Sequence, residues 1–182
     1  MLKLWGSRPH AGKGLLAGLA GGLAATVVMT QFQKGWGKAK EAIEQHQSEG
    51  NKAETASQQR QEDPTSKAGG KLAGLAGYEL SREQKKKAGP FIHYGFGAAM
   101  GATYGLMKEF APMPVRTLHP VSIGGGYGTA LFVGADELIV PALGLSQPPQ
   151  KSPFSTHLYG WASHLVYGLT LAFVCNLVRR NL

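Results

Sequence analysis

Gly14-Leu-Leu-Ala-Gly18-Leu-Ala-Gly-Gly22-Leu-Ala-Ala-Thr-Val-Val-Met-Thr-Gln-Phe-Gln33 decides how the rest of the chain is read. The run carries no charged residue, and its length matches the roughly 20 apolar residues that a helix needs to cross a bilayer. Lys3, Arg8 and Lys13 precede it, and Lys34 and Lys38 follow. Trp5 and Trp36 stand just outside its ends, where indole rings favour the membrane–water boundary. Small residues at Gly22–Ala25 would suit a cleaved signal peptide. The apolar run continues past them through Val27, Val28 and Met29, which favours a retained helix.

Working outward, three more segments have the same character. Phe91–Met107 is apolar and short, with Lys108 and Glu109 directly after it. Val121–Leu143 is apolar except for Asp136 and Glu137. Asp136 could instead cap a new short helix, leaving a broken or re-entrant segment. His157–Val178 ends at Arg179 and Arg180. The expected fold is therefore an all-α integral membrane protein, a bundle of about four transmembrane helices. Its parts are an N-terminal segment with the first span (1–33), a charged polar loop that is partly helical (34–89), and three further spans within 90–182 at about 91–107, 121–143 and 157–178.

The charge distribution agrees with this reading. The chain has 19 Lys and Arg against 11 Asp and Glu, a net charge of +8. Eleven of the basic and eight of the acidic residues lie between Lys34 and Lys87. A nucleic-acid binder focuses its basic residues on a folded surface. Here they sit in a mixed-sign loop and at the ends of apolar runs, so nucleic acid is not an expected partner. The loop begins with good helix formers up to about Asp63, and Pro64 ends that stretch. Lys71–Leu80 is weakly amphipathic and suited to a membrane surface. Ser81 and Gln84 form the S-x-x-Q pattern of a capping box, which predicts a helix start there. Pro90 then kinks that helix or begins the next. An even number of spans places both termini on one side. Their basic residues, with Arg116, favour the cytoplasmic side, against the lysines that flank the long loop.

Glycine recurs every four residues: Gly14, Gly18 and Gly22; Gly97, Gly101 and Gly105; Gly124 and Gly128; then Gly160, His164 and Gly168. A four-residue step stays near one helix face, and glycine there lets backbones approach closely in lipid. These glycine-zipper faces are read as helix packing. Thr103-Tyr-Gly-Leu106 also parallels Val166-Tyr-Gly-Leu169, as a duplicated helical pair would.

Ionisable residues inside apolar spans are costly and usually face a bundle interior, a partner or water. His93, Asp136, Glu137, His157 and His164 are therefore the candidate ion or proton path. The alternative for the same residues is plain interhelical hydrogen bonding. His157 and His164, seven apart, share a helix face. Nothing resembles a Walker motif, G-x-S-x-G or H-E-x-x-H, and Gly95-x-Gly-x-x-x-Gly101 lacks the strand and spacing of a dinucleotide fingerprint. Cys175, the only cysteine, has no zinc spacing around it and reads as a small buried apolar residue.

Pro141-Ala-Leu-Gly-Leu-Ser-Gln-Pro-Pro149, Ser163-His-Leu-Val166 and Arg179-Arg180 resemble the end of the YagU-like family of bacterial inner-membrane proteins. Ala88-Gly-Pro-Phe-Ile-His-Tyr-Gly-Phe-Gly97 and Gly101-Ala-Thr-Tyr-Gly105 are similar to members of the same group. The resemblance implies a multi-pass protein of the bacterial inner membrane, of uncharacterised function and without an assigned catalytic residue. The long charged loop departs from the family pattern.

These readings lead to a non-enzymatic membrane protein, an accessory or assembly subunit or a homo-oligomer, with the bilayer and other membrane subunits or itself as partners. The alternative is a small proton or ion channel or transporter lined by Asp136, Glu137 and His164. The third is a haem or metal carrier using His93, His157 or His164. No cofactor is assigned.

Overall fold

The computed structural model describes residues 9–45, 64–75 and 77–182. Trp5, Lys3 and Arg8, and the helix-forming stretch from residue 46 to Asp63, lie outside the described residues. Among the described residues there are helices and turns and no strand. The long helices are α1 (Ala11–Gln45), α2 (Pro64–Leu75), α3 (Arg82–Phe110), α4 (Pro120–Leu131) and α5 (Phe154–Asn181). Helix α4 runs without a break into a wide π-helical segment, Phe132–Ile139, and a last turn, Val140–Ala142.

Local sequence signals set these boundaries. The expected capping box is present: Ser81 N–H donates to Gln84 Oε1 at 2.8 Å, and Gln84 N–H donates to Ser81 Oγ at 3.3 Å. Two orphan amides at the start of α3 are thereby satisfied. The helix passes through Pro90 without ending, so that proline neither starts a new element nor stops the old one. His119 caps α4, its Nδ1 accepting from Val121 N–H at 3.3 Å, with Pro120 at the first helical position. Gly144, at φ +65°, ends the segment after Ala142. Helix α1 outruns its apolar part. It continues from Lys34 to Gln45 on mostly good helix formers, and from Lys38 to Ile43 every residue is exposed.

Two helices, α1 over Ala11–Ile43 and α5 over Phe154–Asn181, are long and apolar enough to cross a membrane by length and composition. The apolar part of α3 is short and carries charge at both ends. That of α4 is divided by the π segment.

The chain forms two compact units, one of residues 1–29 with 94–182, the other of residues 30–93. In the first, the helices alternate in direction. Gly14, Gly18 and Gly22 of α1 approach Gly105, Gly101 and Gly97 of α3 in that antiparallel order. A methyl built on Gly14 would lie 2.9 Å from the Gly105 carbonyl oxygen, and one on Gly22 2.5 Å from that of Gly97. A methyl on Gly18 would overlap the Gly101 carbonyl oxygen outright. Helices α4 and α5 meet in the same way, Gly124 against Gly168 and Gly128 against the His164 carbonyl.

The interior is small and polar rather than bulky. Its buried apolar residues are Ala17, Ala25, Met29, Tyr104, Tyr167, Leu171, Ala172 and Cys175. Most other large aliphatic and aromatic side chains point outward, among them Leu16, Leu23, Val27, Val28, Phe96, Val133, Leu138, Ile139 and Phe173. Two tyrosines tie the helices together. Tyr167 Oη donates to the Gly97 carbonyl at 2.6 Å and Tyr127 Oη to the Met100 carbonyl at 2.7 Å. Tyr167→Phe removes one such bond and is expected to cost about 1 kcal/mol, read as a small drop in the thermal midpoint of detergent-solubilised protein.

In the second unit α2 rests on the first turns of α3. A methyl on Gly69 would lie 3.0 Å from Ala88 Cβ, and one on Gly89 2.8 Å from Ser66 Oγ.

Candidate functional site

Asp136 and Glu137 lie within the π segment that follows α4. A π turn holds one more residue than an α turn, so neighbouring positions diverge less around the axis. Both acids consequently reach histidines on α5. His157 Nδ1 is 2.7 Å from Glu137 Oε1, and its Nε2 is 3.1 Å from the Pro149 carbonyl oxygen. Both of those oxygens are acceptors. A neutral imidazole has one N–H and satisfies one of them; a doubly protonated ring satisfies both. The second pair is looser. His164 Nδ1 lies 3.0 Å from the Gly160 carbonyl oxygen and 3.5 Å from Asp136 Oδ2. Nδ1–H therefore belongs to Gly160, with the carboxylate alongside. The Phe132 ring packs near that imidazole, centroids 6.1 Å apart. The His164 side chain is 11% exposed and that of Asp136 is 40% exposed, so this pair runs from the interior toward the outside of the helix pair. Trp161 Nε1–H donates to Thr129 Oγ1 at 3.1 Å on the same two helices.

The two hairpins of this unit correspond position by position. Gly14 and Gly18 of α1 stand to Gly105 and Gly101 of α3 as Gly124 and Gly128 of α4 stand to Gly168 and His164 of α5. One step further, a methyl on Gly97 would overlap Thr26 Oγ1, whereas one on Gly160 would lie 2.9 Å from Phe132 Cε2 and 3.5 Å from Asp136 Oδ2. Thr26, Gly22 and Gly101 of the first hairpin thus match Asp136, Phe132 and His164 of the second. The first hairpin is closed by small residues. The second has exchanged them for an acid, an aromatic ring and a histidine.

Farther along α5, toward its C-terminal end, is a second polar group that the sequence did not single out. Glu109 is wholly buried and accepts two bonds from Arg179, Nη2–H to Oε1 at 2.7 Å and Nε–H to Oε2 at 3.0 Å. The His10 amide also donates to Glu109 Oε1, at 2.6 Å. Lys108, 3% exposed, donates to Asn176 Oδ1 at 2.7 Å and lies 5.9 Å from the centre of the Tyr104 ring. Read along the sequence, Lys108 and Glu109 look like a charged stop after an apolar run, and Arg179 like a flanking cation. The signal available was an acid and a base at the ends of two apolar runs that a four-span reading brings to the same side. The buried hydroxyls of Tyr104 and Ser163 have no hydrogen-bond partner among the described residues.

The five candidate residues thus fall into two pairs and one outlier. Glu137 joins His157, Asp136 adjoins His164, and His93 belongs to the other unit. Among the described residues no three of His, Cys, Asp and Glu converge as metal ligands, so the metal-carrier reading gains no geometry. Comparisons with protein-family models, curated proteins and solved structures find no match, and the resemblance to YagU-like proteins rests on its quoted motifs alone.

Proposed function

We propose that this chain is a multi-pass membrane protein of four spans, held together through its glycine faces, whose second hairpin carries protons or a small cation. What supports the membrane reading is the inverted distribution of apolar residues: alanine, glycine and tyrosine inside, leucine, valine and phenylalanine outside. In water such an exterior would drive association; in lipid it is the favoured surface. A location in the bacterial inner membrane follows from the family resemblance.

The observation that carries the transport reading is the pair of histidine–carboxylate contacts on the π segment. Ionisable groups in a span are expensive unless they face a partner or an aqueous path, and π turns are frequent where helices carry function. A histidine that bridges a carboxylate and a carbonyl oxygen gains or loses a proton without leaving its place. The test is flux into proteoliposomes loaded with a pH-sensitive dye under an imposed pH gradient. The parent protein is expected to acidify the lumen, and Asp136→Asn with Glu137→Gln to reduce the rate to that of empty vesicles. An inactive parent protein, or an unchanged rate in the double variant, rejects the reading.

A second reading is an accessory subunit or homo-oligomer, without enzymatic activity. It is favoured by Gly126 and Gly134 of the α4 segment, which have nothing within 4 Å, and by exposed Ala130 between them. Native mass spectrometry after mild extraction tests it: a bare monomer removes it, and added subunits or copies support it.

A further inference from the structure

Helix α2 has two unlike sides. Ser66 and Gly69 are buried, facing Gly89 and Ala88 of α3. With about 100° between successive residues, Leu72 flanks that contact and Leu75 points away from it, and they are 56% and 87% exposed. Tyr78 and Phe91 are 70% and 80% exposed in the same unit. Lys67 and Lys71, one turn apart, form a row beside the leucines. On α3, Arg82, Lys85, Lys86 and Lys87 stand within the turns immediately before Phe91. A methyl on Gly70 would lie 2.8 Å from Lys85 Cε. The Lys85 stem therefore lies against α2 at Gly70. Against these six cations the described part of the segment has two acids, Glu79 and Glu83.

We propose that α2 and the basic first turns of α3 form a surface element that binds anionic phospholipid headgroups of the membrane the chain spans, with Leu72, Leu75 and Tyr78 entering the acyl boundary. Two features select this occupant over a protein. The apolar residues are exposed one by one beside long cationic side chains, the arrangement of interfacial helices whose lysine stems lie over hydrocarbon while their charges meet headgroups. The basic run also precedes the apolar part of α3 on one continuous helix, so entry of that part into a bilayer brings Lys85–Lys87 to its surface.

This inference rests on the membrane-spanning reading, and the experiment separates the two. Leu75→Cys and, in a second protein, Phe173→Cys on the outward side of α5 are labelled with an environment-sensitive dye, with Cys175→Ser in both. Each full-length protein is reconstituted into vesicles of phosphatidylcholine alone or with about 30 mol% phosphatidylglycerol, the acyl chains brominated as quenchers. The Phe173 label is expected to be quenched in both lipids and the Leu75 label strongly only with the anionic lipid. Lys85→Gln, Lys86→Gln and Lys87→Gln together should lower surface binding by about a hundredfold, at roughly fivefold for each lysine near an anionic surface, and remove the Leu75 quenching. Quenching at Phe173 without quenching at Leu75 overturns the surface element and leaves the spans standing, as expected if another part of this chain or a protein covers the leucines. Quenching at Leu75 that ignores both lipid charge and the lysine changes overturns the recognition of anionic headgroups. Quenching at neither site overturns the spans themselves.

Discussion

Gly101→Leu is expected to leave no folded bundle. A methyl at this position would already overlap the Gly18 carbonyl oxygen and would lie 2.5 Å from Gly22 Cα and 2.8 Å from Gly22 N. These are backbone atoms of α1, so no side chain can rotate out of the way. Overpacking a core that has movable neighbours typically costs about 1–3 kcal/mol. Here α1 and α3 must separate along their length, and the loss should exceed that range. It would also free the Gly14–Gly105 and Gly22–Gly97 approaches on either side. Size-exclusion profiles of detergent extracts after heating measure this directly. The expected result is little or no monodisperse peak for Gly101→Leu and an undisturbed one for Gly126→Leu, whose surroundings are open within 4 Å. Equal melting of the two variants would refute packing through the glycine faces.

Glu109→Ala should be nearly as damaging, for an electrostatic reason. It leaves the Arg179 guanidinium and the His10 amide without the acceptor they share. Removing one member of a buried pair typically costs about 3–5 kcal/mol, because a charge remains without its partner and with little access to water. Replacing both members avoids that stranded charge. Glu109→Met combined with Arg179→Met is therefore expected to melt above Glu109→Ala, even though it carries one more substitution. The comparison is again the thermal midpoint in detergent. If the double variant is the less stable, the pair itself contributes net stability beyond the penalty of stranding one partner.

The glycine steps, the capping box and the segregation of charge were legible in the sequence because each is local. Gly14, Gly18 and Gly22 share a face whatever lies opposite, and Ser81 and Gln84 satisfy each other within one turn. The helical content and the two longest apolar helices followed from such signals. What escaped was anything needing a partner far along the chain. Glu109 and Arg179 are 70 residues apart, and nothing near either one says that it is buried rather than solvated. The polar continuation of α1 was legible as well, because the helix formers after Lys34 carry propensity past the change from apolar to polar composition, as far as Gln45. The acids at 136 and 137 were recognised as unusual, and the choice between a break and a continuous helix depended on π geometry that has no sequence signature. His93 was grouped with the other histidines by composition alone, and the fold assigns it to a different unit.

The wide turn after α4 also bears on helical phase. Lengthening an α-helix by one residue normally swings everything beyond it by about 100°, carrying an inward group out to lipid. A segment that takes up the extra residue as a local swelling keeps both flanks in phase, which is how an addition to a packed helix survives. The two hairpins differ in how strictly they keep the helical period. The first keeps Thr26, whose hydroxyl turns back on its own helix to the Gly22 carbonyl at 2.8 Å. The second, relieved of strict periodicity, has adjacent acids that each address a different histidine.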